Sequence, residues 1–244
     1  MHPTICQFGP VAVHSYGLMV AVAAIVCSFL MAREAKRLSM NPEDIYDFVF
    51  WVLISGILGA RIFYVFLNFD RFWASPIDIV MIQRGGLAWQ GSVAVGLPAA
   101  ILFIKRAGWS VRVMSDFVAP YLALGHAIGR IGCFLNGCCY GRASAWGVYF
   151  PVHGQRLLPT QLYEMGLLVM LFFLLKALRV SLEKIPGQLF SVYLILASVV
   201  RFAVQFFRAD YEPVYLGLGI FQWVSLGFMG LGVIWLFCVR RKHG

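Results

Sequence analysis

The chain has 244 residues, a net charge of +9, and charged side chains at only 13% of positions against 61% hydrophobic ones. A soluble domain carries about 25% charged residues, so a soluble globular protein is excluded. The basic excess does not mark a nucleic-acid binder, because Lys and Arg cluster between apolar runs, where they set topology and meet anionic lipid headgroups.

The apolar runs are each about twenty residues long, the length a helix needs to cross a bilayer. Seven predicted spans follow in order, at about 12–32, 46–68, 86–105, 113–135, 159–178, 187–208 and 217–239. The expected fold is therefore an all-α integral membrane protein with seven transmembrane helices, one polytopic domain over 1–244. Its first residues show neither a positive n-region nor a small-residue cleavage site, so no cleavable signal peptide is expected.

The connections set the orientation. Arg33, Lys36 and Arg37 follow the first span, and Lys105, Arg106 and Arg112 the third. Lys176, Arg179 and Lys184 follow the fifth, and Arg240, Arg241 and Lys242 come after the seventh. The alternate connections hold only Arg71, Arg84, Arg142, Arg156 and Arg208. Positive charge stays on the cytoplasmic side, which predicts the N-terminus outside and the C-terminus cytoplasmic. Asn41-Pro42-Glu43-Asp44 reads as the start of a helix, with an Asn cap, Pro in the first position and acids in the first turn.

That orientation gathers most intramembrane polar groups at the outer depth. His14 and Tyr16 open the first span, Arg61 lies in the outer half of the second, and Gln90 starts the third. Arg130 to Asn136 end the fourth, Gln161, Tyr163 and Glu164 begin the fifth, and Arg201, Gln205 and Arg208 finish the sixth. Arg61, Arg130 and Arg201 are the basic residues well inside spans. Pairing with Glu164 is one reading of them. Their excess over a single carboxylate points further, to an anionic ligand, and guanidinium forks match phosphate geometry.

The stretch Leu124–Arg142 concentrates unusual residues. Gly125, Gly129 and Gly132 share a helix stripe where a neighbour can approach closely. Cys133, Cys138 and Cys139 follow. Thiolates suit zinc or copper, but this spacing is no standard metal pattern and a Cys in an apolar helix is often a small core residue, so no metal is expected.

Gly129-Arg130-Ile131-Gly132-Cys133-Phe134-Leu135-Asn136-Gly137 through Gly141-Arg142 resembles the signature of the bacterial prolipoprotein diacylglyceryl transferases, G-R-x-G-N-F-x-N-G. Further stretches are similar in order and spacing: His14-Ser15-Tyr16-Gly17-Leu18, Gly59-Ala60-Arg61-Ile62, and Arg84-Gly85-Gly86 through Gln90-Gly91. So are Ser115-Asp116 through Ala119-Pro120, Pro159-Thr160-Gln161-Leu162-Tyr163-Glu164, and Arg201-Phe202 through Phe207-Arg208. Departures occur where Gln90 replaces the usual His, Cys133 an Asn, Cys138 a Glu, Leu158 a His and Gln205 a Glu.

The resemblance implies transfer of a diacylglyceryl group from phosphatidylglycerol to the lipobox cysteine of preprolipoprotein signal peptides, in the bacterial cytoplasmic (inner) membrane. Membrane lipids are then the partners, with no nucleic acid and no cofactor. It implies catalytic roles for Arg130, Arg201, Tyr16, Gln90 and Glu164. Substrate binding falls to His14, Arg61, Gly85, Gly86, Asn136, Gly141, Gln161, Tyr163, Gln205 and Arg208. The alternatives are a non-catalytic phospholipid- or anion-binding transporter and a divergent paralogue with altered activity.

Overall fold

A computed structural model describes residues 1–8, 11–81 and 85–241. Strands β1 (Thr4–Phe8) and β2 (Val11–His14) precede helix α1 (Ser15–Ala35). Helix α2 (Pro42–Leu67) leads through the short α3 (Phe69–Ala74) to α4 (Trp89–Arg106) and α5 (Val111–Asn136). An antiparallel pair, β3 (Ala143–Phe150) and β4 (Gln155–Leu157), precedes α6 (Thr160–Leu182) and α7 (Gln188–Gln205). A second pair, β5 (Pro213–Tyr215) and β6 (Leu218–Gly219), leads into α8 (Ile220–Arg241).

Among the described residues six helices are long and apolar enough to cross a membrane: α1, α2, α5, α6, α7 and α8. This is a multi-pass membrane protein. The remaining predicted span is α4, 18 residues long with Gln90 in its first turn and Lys105 and Arg106 in its last. Those ends dilute its apolar middle, so length and hydropathy alone do not mark it as a span. Two expected boundaries also shift. Residues 12–14 belong to β2, so His14 sits on an extended segment, and α7 stops at Gln205, leaving Arg208 in a connection.

Helix ends are satisfied as the sequence suggests at α2, where the Asn41 side chain accepts from the Glu43 N–H at 3.2 Å and Pro42 follows the cap. At α7 the device is different. Its cap residue is Gly187, in a left-handed conformation and without a side chain to offer. The buried Asp116 carboxylate of α5 takes over, accepting from Gly187 N–H at 2.6 Å and Phe190 N–H at 2.7 Å. A carboxylate at a helix N-terminus satisfies orphan donors and meets the positive end of the helix dipole.

The chain forms two compact units. In the one comprising Ser28–Val111, α2 and α4 meet through glycines. A methyl group on Gly59 would strike Gly91 and Val95, and Ser92 Oγ donates to Gly56 O at 3.0 Å. The other unit contains Val13–Cys27 and everything from Arg112 on. Its core joins Ala123 and Ala127 of α5, Leu168, Leu171 and Leu175 of α6, and Leu189 of α7. The small-residue stripe of α5 admits α1: a methyl on Gly132 would press on Met19 and Tyr16, and one on Gly125 would meet Cys27. Around Gly129 there is open space instead.

Asp116→Ala removes both acceptors from the start of α7, with an expected loss of about 2 kcal/mol. Thermal unfolding in detergent should show a lower midpoint for this variant, with Asp116→Asn intermediate.

Candidate active site

Three helices of the larger unit place charged side chains together. The Glu164 carboxylate, one turn into α6, is 1% exposed and lies between two guanidiniums. Arg130 of α5 donates from Nη2 to Oε1 at 2.8 Å, and Arg201 of α7 brings Nη1 to 3.5 Å of Oε2. His126, one turn before Arg130, has Nε2 at 3.5 Å from Oε1. Two guanidiniums, 13% and 21% exposed, thus share one carboxylate. Arg201 also stacks over the Phe221 ring of α8 at 5.1 Å.

The charges are not fully matched. Arg130 Nε and Arg201 Nη1 are buried and have no hydrogen-bond partner among the described residues. The same is true of Gln161 Oε1 and Gln205 Oε1. A buried donor without a partner costs roughly 1–3 kcal/mol, and more when charged. Orphaned donors beside an excess of positive charge suit an incoming anion.

The end of α5 is closed by a left-handed glycine. Gly137 N–H bonds Phe134 O and Cys138 N–H bonds Cys133 O, both at 3.1 Å, with Gly137 at φ +74°. This 6→1, 5→2 pairing is a Schellman motif, which brings the residue after the glycine back over the last helical turn. Here the two residues brought together are Cys133 and Cys138. The start of α6 holds the next backbone: Thr160 Oγ1 donates to Cys139 O at 2.9 Å and Gln161 Nε2 to Cys138 O at 2.6 Å. The three sulfurs lie within 4.8 Å of one another. Arg130 Nη1 is 4.0 Å from Cys133 Sγ, and Tyr16 of α1 faces both Arg130 and the cysteines.

Gly141 joins the connections at this end of the unit. It bridges to Arg208, its N–H bonds Leu158 O at 2.8 Å, and a methyl group would collide with Phe207, Leu158 and Thr160. His153 Nε2–H donates to Gly137 O at 2.9 Å, and its ring packs at a tilt against Tyr140, with centroids 4.1 Å apart. Arg208 is forked onto Asp210 at 2.7 and 2.6 Å, so its charge is already matched. Those bonds hold the Asp210 carboxyl below its ordinary value. The Cys139 thiol is held well below the usual thiol value by hydrogen bonding with the Cys133 and Cys138 sulfurs, and Arg208 acts in the same direction.

The smaller unit carries a separate arrangement. Arg61 is buried, with Nε donating to Ile79 O at 2.9 Å and Nη1 to Gly85 O and Gly86 O at 2.6 and 2.8 Å. Nη2 reaches Asp78 O and, at 3.4 Å, Met81 O. Its donors are committed to the backbone of the connection that precedes α4. Gly86, at φ +82°, packs so closely on Tyr64 and Arg61 that a side chain has no room. Gln90 is exposed in the first turn of α4.

The predicted residues therefore fall into groups. Arg130, Glu164 and Arg201 form one ion cluster, with Tyr16 and Gln161 around the adjoining cysteines. Asn136 ends α5 beside them. Gln205 turns its Nε2 to Asp210 at 3.5 Å, alongside Arg208. His14 and Tyr163 are exposed. Arg61, Gly85 and Gly86 build the turn of the other unit. No motif marks Asp210, whose sequence signal is its place two residues after Arg208. His126 and the cysteine trio were visible as residues but not as neighbours of Glu164 and of one another.

These features define a helical multi-pass membrane protein with an arginine-rich site at one end of its helices. The chain matches the family model described as Prolipoprotein diacylglyceryl transferase over residues 3–238. It is similar to curated proteins named phosphatidylglycerol–prolipoprotein diacylglyceryl transferase. The one from Synechococcus elongatus is 32% identical, with 98% of this chain and 89% of the relative aligned. That from Nostoc sp. is 34% identical over 98% and 90%, and that from Legionella pneumophila 33% over 99% and 98%. The chain belongs to the prolipoprotein diacylglyceryl transferase family.

Glu164→Gln leaves two buried guanidiniums facing each other and should cost about 3 kcal/mol. Thermal unfolding in mixed micelles should show that loss, and phosphatidylglycerol should restore part of it, because its phosphate replaces the missing anion. A neutral lipid should not.

Proposed function

We propose that this chain is a bacterial inner-membrane enzyme that transfers the diacylglyceryl group of phosphatidylglycerol to the lipobox cysteine of a preprolipoprotein signal peptide. A thioether forms and glycerol phosphate leaves. The reading takes α4 as the seventh span, puts the N-terminus outside and the C-terminus in the cytoplasm, and treats both units as one transferase domain. Basic residues concentrated on alternate connections support that topology. It sets the Arg130–Glu164–Arg201 cluster in the outer leaflet, open to lipid and to the substrate's signal helix.

The observation that carries the reading is the pair of guanidiniums sharing the buried Glu164, with Arg130 Nε making no hydrogen bond among the described residues and Arg201 Nη1 held only by a loose 3.5 Å ion pair. Arg130 and Arg201 bind the lipid phosphate and stabilise the charge that develops as it departs. Fixed donors in a water-poor site do this without reorganising. Glu164 keeps the two forks apart and aimed. Tyr16 and Asn136 orient the glyceryl group or the thiol by hydrogen bonds, with Gln161, Gln205, Gly141 and Arg208 shaping the surrounding loops, and in the other unit Gln90 offers its amide to substrate. His14 and Tyr163 meet lipid or signal peptide at the rim. Arg61 acts through Gly85 and Gly86, holding the turn that leads to Gln90.

The attacking sulfur must be a thiolate, and a free thiol titrates near 8.5. Gln90 is a neutral amide and cannot take that proton. Nearby guanidiniums favour the anion.

Reconstitution with phosphatidylglycerol and a lipobox peptide tests the reading through the thioether product. Arg130→Ala and Arg201→Ala should each lose about a hundredfold or more in turnover; near-normal rates in both would remove the phosphate role. Labelled lipid bound with no product from the wild-type protein would favour the non-catalytic anion-binding alternative. Gln90→His should raise the rate at neutral pH if proton removal limits it.

A further inference from the structure

Sequence spacing argued against a metal at Cys133, Cys138 and Cys139, yet the fold draws the three sulfurs within 4.8 Å of one another. Two independent features hold them there. The Schellman turn at Gly137 stacks Cys138 on Cys133, while Thr160 and Gln161 clamp the carbonyls of Cys139 and Cys138. Cys139 itself keeps a left-handed backbone at φ +61°, unusual for a residue with a side chain. All three thiols are free.

Tetrahedral zinc with Zn–S bonds of about 2.3 Å separates its sulfurs by about 3.8 Å, so small side-chain rotations close this trio onto an ion. Three protein ligands with a fourth position left for water or substrate is the pattern of catalytic zinc sites, whereas structural sites are closed by four. No His, Asp or Glu joins the trio among the described residues. Cys133 is buried while Cys138 and Cys139 are partly exposed, which leaves one side of the cluster accessible. Three thiolates outweigh a divalent cation by one negative charge, and the Arg130 guanidinium, 4.0 Å from Cys133 Sγ, lies beside it.

We propose that Cys133, Cys138 and Cys139 form a tris-thiolate site for a soft divalent cation of the zinc class, whose open fourth position takes the cysteine thiol of the protein substrate. The inference rests on the transferase reading and supplies the step that Gln90 cannot. A thiol bound to zinc is deprotonated outright. Its proton passes to water as the sulfur joins the ion. The sulfur lone pair then attacks the glyceryl carbon that carries the phosphate. The carbon–oxygen bond breaks, and its electron pair leaves on the glycerol phosphate oxygen, facing Arg130 and Arg201. The neutral thioether is a poor ligand and departs, leaving the ion's oxidation state unchanged.

Cobalt(II) replaces zinc as a coloured probe. Protein purified in detergent under reductant and stripped with a chelator should bind one equivalent, with a sulfur-to-cobalt charge-transfer band. Cys139→Ser should weaken the band. A lipobox peptide should alter it, and the same peptide with Ser in place of Cys should not. Stripped enzyme should lose about a hundredfold in turnover, the scale of a missing proton acceptor, and regain it with zinc. A wild-type protein with no cobalt–thiolate band overturns the proposal. So does a band indifferent to the cysteine peptide, or a site that takes only copper(I) and so has no open position. Full turnover after stripping removes the metal and leaves the transferase standing. A peptide-sensitive band on a protein that never makes thioether keeps the metal–thiol site and removes the transferase.

Discussion

One carboxylate makes the rest of this site possible. A guanidinium in the apolar part of a membrane protein is costly, and two side by side also repel each other. Glu164, buried in the first turns of α6, answers both problems by lying between Arg130 and Arg201. Three helices are consequently tied at one level, and their positions cannot drift independently. A single negative charge against two positive ones leaves the cluster stable but unsaturated. That imbalance is what the proposed anion-binding role of the cluster rests on.

Arg61 shows the contrast. It is the same residue type, more deeply buried, and shares the motif-like context that drew attention to the other two. Its guanidinium is nevertheless filled by the carbonyls of Asp78, Ile79, Met81, Gly85 and Gly86, so it organises a turn. Arg208 differs again, because Asp210 meets it in a two-pronged pair. Four arginines with similar sequence credentials therefore do three different jobs. What distinguishes them is which acceptors lie within about 3 Å, a property of tertiary contacts.

The glycines follow the same division. Gly132 and Gly125 in the small-residue stripe of α5 do receive α1, whereas Gly129 faces open space. The tight contact of Gly59 on Gly91 in the other unit is set by single glycines on different helices whose pairing no local spacing announces. Asp116 is a similar case: its acid stands alone in the sequence, and its use as the cap of α7 needs a partner 71 residues away.

Composition and period alone were enough to make this an integral membrane protein and to locate its long helices, because burial in lipid demands continuous apolar runs and backbone bonds closed within each helix. Motif order was enough to point to the family and to most residues of the arginine site. The sequence could not say which arginine keeps unfilled donors, that Arg208 is neutralised by Asp210, or that Cys133, Cys138 and Cys139 converge. Those facts depend on where side chains from distant helices and connections meet. Hydropathy runs along the chain one residue at a time, but charge matching and ligand geometry are fixed across it, and only the folded arrangement brings the partners within bonding distance.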